Sequence, residues 1–242
     1  LMATVVDVMN KAARECSVTA PSSWIAATTT TYLELKDFLA DTVDELLDRV
    51  DWPEPITQDT IITGTGVESY ALPSDFKRLT RDDFAVYETT TSRRAGIPIT
   101  SNGDWTFLQD VGSAGGNRYY RITGNEEDGY DIGFYQFPAT GDSITVAYVT
   151  YNWLSSGGTP GRVWSDPTAT LLLPRRLVEM GIVWRFRRRK GLPYQDRLNE
   201  YEGNLIRLAN DARGVRKIAF GESSNPDAKP MRVPVPDFIP SS

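Results

Sequence analysis

The chain has 242 residues, 40% of them hydrophobic and 11% aromatic, enough to bury a sizeable core in one or two domains. It carries 32 Asp and Glu against 26 Lys and Arg, a formal charge of -6, with one cysteine and no histidine. The missing histidine removes Ser-His-Asp and Cys-His catalytic sets and every His-bearing zinc site, and the lone Cys16 removes a disulfide framework and a thiolate metal cluster.

No apolar run approaches the roughly 20 residues of a membrane-spanning helix, and the start lacks a charged and then apolar secretory pattern. A soluble protein with no membrane partner, retained where it is made, is expected. The charge is divided along the chain. Residues 160–242 hold 15 basic and 9 acidic side chains, a balance of +6, which leaves 11 and 23, or -12, for residues 1–159. Ordinary drift in composition produces such a division, and so does a part that meets different neighbours at its two ends.

Residues 4–16 read as a short helix, with Val5, Met9, Ala12 and Cys16 at helical spacing and Thr4 with Asp7 as a capping box. Ser17 to Thr30 is a loop with one anchor, Trp24. A second helix opens at Thr31, with Glu34 three residues on, and runs to about Asp51 before Pro53. Tyr32, Leu35, Leu39, Val43, Leu46 and Val50 form its core face, and Asp37, Asp41, Asp44, Asp48 and Asp51 an acidic ridge on the opposite side. The ridge is either a solvated face or a negative lining that does not stick to nucleic acid.

From Glu54 to about Thr159 the period is alternating, with no helical stripe. The expected strands are Thr60 to Thr63, Ser69 to Leu72, Phe84 to Thr90, Ile97 to Thr100, Trp105 to Leu108, Arg118 to Thr123, Tyr130 to Phe137 and Ser143 to Tyr151. Turn clusters such as Gly64-Thr65-Gly66 and Asn102-Gly103-Asp104 separate them, which argues for an antiparallel sandwich or barrel. Ile132 to Tyr135 and Ile144 to Val149, joined through Pro138 to Asp142, are the best candidate for a hairpin.

Helical pattern resumes with Asp166-Pro167 as N-cap and first helical residue, and Leu173-Pro174 as a break or second start. From Pro174 to Lys190 the segment is apolar on most sides, through Leu177, Val178, Met180, Gly181, Ile182, Val183 and Trp184, and Gly191 and Pro193 stop it. A further helix runs from Tyr194 to Arg213, with Tyr194, Leu198, Tyr201, Leu205, Leu208 and Ala212 as core face and Gly214 as cap. The last twenty or so residues contain Pro226, Pro230, Pro234, Pro236 and Pro240, which forbid a helix, threaded with Met231, Val233, Val235, Phe238 and Ile239. An arm that cannot fold on itself yet carries apolar anchors reads either as a docking element or as a loose end.

Few motifs in the chain carry chemistry. Gly112 to Asn117 is Gly-rich but lacks the Lys and Ser/Thr of a phosphate loop and reads as a turn, and Glu126-Glu127-Asp128 reads as a solvated loop. The spaced Asp/Asn loop of a helical calcium site is missing, so no metal, cofactor or catalytic residue is expected. Arg185, Arg187, Arg188, Arg189 and Lys190 close a helix, where cations offset the dipole by a few tenths to about 1 kcal/mol. The alternatives for them are an acidic protein partner or nucleic acid.

In order, the layout of helix, loop, amphipathic helix, long β insertion, two helices and a proline-studded tail resembles the adaptor proteins of short-tailed bacteriophages, the tail tubular protein A-like head-to-tail connectors. Ser69-Tyr70-Ala71-Leu72-Pro73-Ser74-Asp75-Phe76-Lys77-Arg78-Leu79 is similar to the family's strand ending in Leu-Pro, then Asp-Phe and a basic-leucine step. Phe134 to Pro138, Gly141-Asp142, Val146 to Val149 with Trp153, and Leu172-Leu173-Pro174 are also similar. The resemblance implies a non-enzymatic virion protein of the tail or neck, assembled in the host cytoplasm as a ring, commonly of twelve copies, beneath the portal protein. Its partners would be other copies, the portal, the tail nozzle protein and tail fibres, with DNA passing through unread and the acidic ridge bordering the channel.

The expected fold is therefore α+β: a helical ring-forming body from residues 1–52 and 161–214, an inserted antiparallel β-sandwich or barrel over 53–160, and an extended portal-docking arm over 215–242. The rival readings are another tail component (nozzle, stopper or fibre-attachment protein) and a tail-associated glycan hydrolase using two β-domain carboxylates.

Overall fold

Apolar spacing and local caps set the elements of this computed structural model, which describes residues 3–81, 84–90, 95–112 and 118–212. In chain order they are α1 (Val5–Glu15), α2 (Thr30–Arg49), β1 (Thr57–Thr63), β2 (Ser69–Ala71), β3 (Phe76–Leu79), β4 (Val86–Glu88), β5 (Ile97–Pro98) and α3 (Asn102–Val111). Then follow β6 (Tyr119–Asn125), β7 (Gly129–Tyr135), β8 (Ser143–Thr150), β9 (Leu154–Ser156), β10 (Thr159–Gly161), β11 (Thr170–Leu171), α4 (Arg175–Arg189) and α5 (Gln195–Ala212). The class is α+β. The expected C-terminal arm, including Met231, Val233, Val235, Phe238 and Ile239, and the Gly214 cap lie outside the described residues.

The Thr4/Asp7 capping box forms at α1, with the Thr4 hydroxyl accepting from the Asp7 amide at 3.1 Å. The box expected from Thr31 and Glu34 does not. α2 starts from an extended Thr29 without a side-chain cap, and Glu34 instead takes an ion pair from Lys190 at 2.7 Å. α4 is the hub: it packs against α1, α2 and α5, and its Leu177, Val178, Ile182, Val183, Trp184 and Phe186 are all buried. Trp24 is 2% exposed, its indole N–H donating to Asn10 at 2.7 Å, and so pins the loop before α2 as expected.

Asp166 does not open a helix. Its carboxylate accepts from the Thr168 amide at 2.8 Å and hydroxyl at 2.7 Å, closing a turn that feeds β11, and the helix begins only after Pro174. β9, β10 and β11 make a small antiparallel sheet that alternation does not mark, because two of the strands have three residues and one has two. Leu154 and Leu171 join the helical core, and the Val5 amide donates to Ala169 O at 2.9 Å. At the far end of α4, Gly191 takes a φ of +67°, and the Leu192 amide returns to Arg187 O at 2.9 Å, a stop that a side chain at 191 would strain.

The strands form two four-stranded sheets. In the first, β8 is central, antiparallel to β1 on one side and to β3 and then β4 on the other; the second runs β2-β7-β6-β5, with β5 parallel to β6. Ile62, Phe76, Val86, Ile144, Val146 and Tyr148 from the first share one buried cluster with Leu72, Tyr120, Ile132 and Phe134. The expected β7-β8 hairpin is therefore wrong. The two strands lie in different sheets, and β7 pairs with β2 and β6. Alternation told that each strand has an apolar face, but two such faces meet across a sandwich as well as along one sheet.

The expectation of strand at Trp105 to Leu108 also fails. Ser101 caps a helix there, its hydroxyl accepting from the Asp104 amide at 3.3 Å, and Trp105 is 2% exposed beneath the Arg121 guanidinium at 4.4 Å from the ring. The Ser-x-x-Asp spacing was a helix-start signal inside a region read as all β.

Charged side chains bind the helices together. Arg185 is held by Glu45, by the Thr42 hydroxyl at 3.0 Å and by Gly181 O at 3.1 Å, while Arg49 meets both oxygens of Glu202 at 2.8 and 2.6 Å and Glu45 at 2.6 Å. Buried Glu179 accepts from Lys11 at 2.7 Å and Arg175 at 2.5 Å. A Cβ on Gly181 would stand 2.2 Å from Thr42 Cγ2, so the helices cross in direct contact. Gly181→Ala is predicted to lower unfolding free energy by about 1–3 kcal/mol through overpacking, measured in urea, and Thr42→Ala in the same chain to recover part of the loss.

The hydrogen bonds from Arg49 hold the Glu202 carboxyl below its ordinary value of 4.5. A depressed carboxylate stabilises the fold above that ordinary value and loses the contribution as pH falls through the folded one. Glu202→Gln should therefore show a shallower loss of stability below about pH 4.5 than the parent chain, read from denaturation midpoints across pH.

Candidate assembly interface

The helical core and the sandwich meet where α2 ends. The last carbonyls of a helix lack intrahelical partners and carry partial negative charge. Arg78, on β3, reaches them: its Nε donates to Leu47 O at 3.0 Å, and one terminal nitrogen to Leu47 O at 2.8 Å and Val50 O at 3.1 Å. The other donates to Asp51 at 2.6 Å and to Leu79 O at 3.0 Å. Arg81 adds Arg49 O at 3.0 Å and Asp48 O at 2.5 Å, and its amide donates to Asp51 at 2.9 Å. Lys77 sits 3.2 Å from both Asp44 and Asp48.

The segment Leu72 to Leu79, which carried part of the resemblance, is this joint. Leu72 and Phe76 enter the sandwich core, and Asp75 accepts from Tyr148 at 3.1 Å and Asn152 at 3.0 Å, tying the loop to the end of β8. Burial first, and then the Asp75 charge, push the Tyr148 phenol up to about 12, so it stays a proton donor to Asp75. Lys77 and Tyr151 stack at 5.0 Å, with Arg162 on the same ring at 5.7 Å, lining a cavity of about 590 Å³ between α2 and the β strands.

The acidic row of α2 thus divides. Asp44, Asp48 and Asp51 meet Lys77 and Arg78, whereas Asp37 and Asp41 are exposed and make no ion pair with a described residue. The basic end of α4 divides too. Arg185 is an internal strut and Lys190 pairs with Glu34, leaving Arg188 and Arg189 exposed and Arg187 half-buried. Sequence reasoning missed Arg78 and Arg81. The signal open to it was Lys77, Arg78 and Arg81 set against Asp44, Asp48 and Asp51; donation to main-chain carbonyls leaves none.

Among the described residues no group of three or more His, Cys, Asp or Glu side chains could hold a metal ion, and no helix is long and apolar enough to cross a membrane. Glu126 pairs with Arg162 at 2.9 Å, and Asn125 accepts from the Glu127 and Asp128 amides, so the acidic triplet closes the β6-β7 turn. The polar side chains described above converge on joints between elements.

The chain belongs to the SU10 adaptor protein family, a phage adaptor family, whose pattern matches residues 3–228. It is a phage structural adaptor protein and a virion component. No curated protein matches it. The five apolar anchors from Met231 to Ile239 lie beyond the matched span.

Arg78→Ala is predicted to cost about 2–3 kcal/mol in urea denaturation, because charge-assisted bonds are lost and Asp51 and the α2 carbonyls lose a partner. Arg78→Lys should recover less than half, since an ammonium cannot make the forked contact. A cost of Arg78→Ala near zero would remove the joint from the account.

Proposed function

We propose that this chain is the head-to-tail adaptor of a short-tailed phage: a ring, of twelve copies, that seats beneath the portal, passes DNA through its centre, and carries the nozzle and fibres. Membership of a phage adaptor family over residues 3–228 carries the reading. In it, residues 1–52 and 161–214 make the ring body, residues 53–160 form the β unit facing the nozzle and fibres, and residues 215–242 dock on the portal.

Physical chemistry supports each part. Extended, Pro-rich arms with spaced apolar residues gain their contacts only when the partner is present, and ring symmetry multiplies a modest contact many times. The charge balance of +6 after residue 160 and -12 before it suits a subunit with unlike neighbours at its two ends. Of the α2 acids, Asp37 and Asp41 are left for the channel lining, where like charge keeps DNA mobile, and Arg188 and Arg189 for an acidic neighbour.

A chain ending after Gly221 is predicted to stay folded and soluble yet fail to co-sediment with portal rings. Co-sedimentation equal to that of the full chain would contradict the docking role of the arm.

A further inference from the structure

The cavity of about 590 Å³ beside Lys77 and Tyr151 opens on the side of α2 turned away from α4. At about 100° per residue, its Lys36, Ala40 and Val43 stand opposite Glu34, Thr42 and Glu45, which meet Lys190, Gly181 and Arg185 of α4 and its cap. The lining is largely apolar. Trp153 and Trp164 donate their indole N–H groups to Arg162 O at 2.7 Å and Asp166 O at 3.0 Å, which leaves their rings to the cavity, and Val163 between them is 70% exposed.

The rim is acidic. The Asp44 and Asp48 side chains are 64% and 60% exposed, with Lys77 only 10% exposed beneath them, and Lys36 is held by Ala27 O at 2.9 Å. A second opening shares Arg162 and Glu126 with the first; Arg162 pairs with Glu126 and leaves Glu127 exposed without an ion pair to a described residue.

The complement stands at the end of α4. Residues 188–193 are exposed in succession, and the positive φ of Gly191 with the bond from the Leu192 amide to Arg187 O fixes them as a turn. It carries Arg188 and Arg189, neither in an ion pair with a described residue, and Leu192, which is 46% exposed. Offsetting the helix dipole accounts for the cations and not for Leu192 or Val163. Within one chain the Lys190-Glu34 pair holds this turn on the opposite side of α2 from the cavity, with the helix, about 10–12 Å thick, between them. A turn that enters the cavity therefore belongs to another copy.

We propose that the α4-α5 turn of one copy docks in this cavity of the next, with Leu192 against Trp153, Val163 and Trp164, and Arg188 and Arg189 facing Asp44, Asp48 and Glu127. The contact is heterologous: each copy offers the turn on one side and the cavity on the other, and repetition makes a ring when the rotation closes. A preformed turn loses little entropy on docking, and a ring multiplies a modest contact. The pairing deepens the ring reading and rests on it for closure alone.

Full-length chains in a Cys16→Ser background test it. Chains carrying only Val163→Cys are mixed with chains carrying only Leu192→Cys, with purified portal and without it, and oxidised mildly. A disulfide between positions 163 and 192 of different chains is expected, found by peptide mass mapping and reversed by reductant. Adding Arg188→Glu and Arg189→Glu to the Leu192→Cys chain is expected to lower its yield about tenfold, through like-charge repulsion at the rim, with the urea midpoint unchanged. An undiminished yield in the reversed chain, or links only between like positions, would overturn the proposal. Rings on the portal without the 163 to 192 link would overturn this contact and leave the ring standing, whereas the link in chains that form no ring would uphold the contact and remove the ring reading.

Discussion

A guanidinium on β3 capping the open end of α2 is the contact on which the arrangement of the molecule turns. Among the described residues there are two buried cores, one among the helices and one between two sheets, and α2 enters the first while β3 enters the second. Arg78 satisfies carbonyls of α2 and the Asp51 carboxylate at once, so the bond that ends the helix also orients the sandwich. Planarity matters: a fork with several fixed donors holds an angle, whereas a single ammonium holds a distance. Lys77 and Arg81 extend the same contact along α2 and draw Asp44 and Asp48 into it.

The helical side is stiffened by comparable means. α4 is buried on most sides, and the Arg185-Glu45 and Arg49-Glu202 pairs fasten it and α5 to α2. Two cores with a polar, directional joint hold a fixed mutual orientation better than a sliding apolar contact would. In the proposed ring, such a joint would carry the position of the β unit relative to the body, leaving assembly to the surfaces not consumed internally: Asp37, Asp41, Arg188, Arg189 and the arm.

Much of this was readable in the amino-acid order, for a physical reason. Helical periodicity and caps are local, and α1, α2, α4 and α5 emerge within a residue or two of expectation, with Leu35, Leu39, Val43 and Leu46 buried as their spacing requires. Strand existence was local in part: β1, β2, β4, β5, β6, β7 and β8 fall where alternation put strands, whereas β3 and the short β9, β10 and β11 were not expected. Pairing was not: β7 and β8 each display an inward face, and only the sandwich decides that they face one another rather than sharing hydrogen bonds. Trp105 misled because one buried aromatic fits either period, and the Ser101 cap beside it was overlooked. Asp166 misled because the side-chain geometry that starts a helix also closes a turn. Of the joint, only the charge pairing with Asp44, Asp48 and Asp51 left a signal, because the other acceptors are main-chain atoms, although Lys77 and Arg78 stand in the phrase Asp75-Phe76-Lys77-Arg78-Leu79 on which the family resemblance was seen.

Electron microscopy of the chain mixed with purified portal addresses the central proposal most directly. The account predicts one ring of twelve copies on a single end of the portal, with helices lining the inner wall and sandwiches projecting outward. A chain that remains monomeric beside unoccupied portals, or that binds a glycan in a closed pocket of its own, would contradict it.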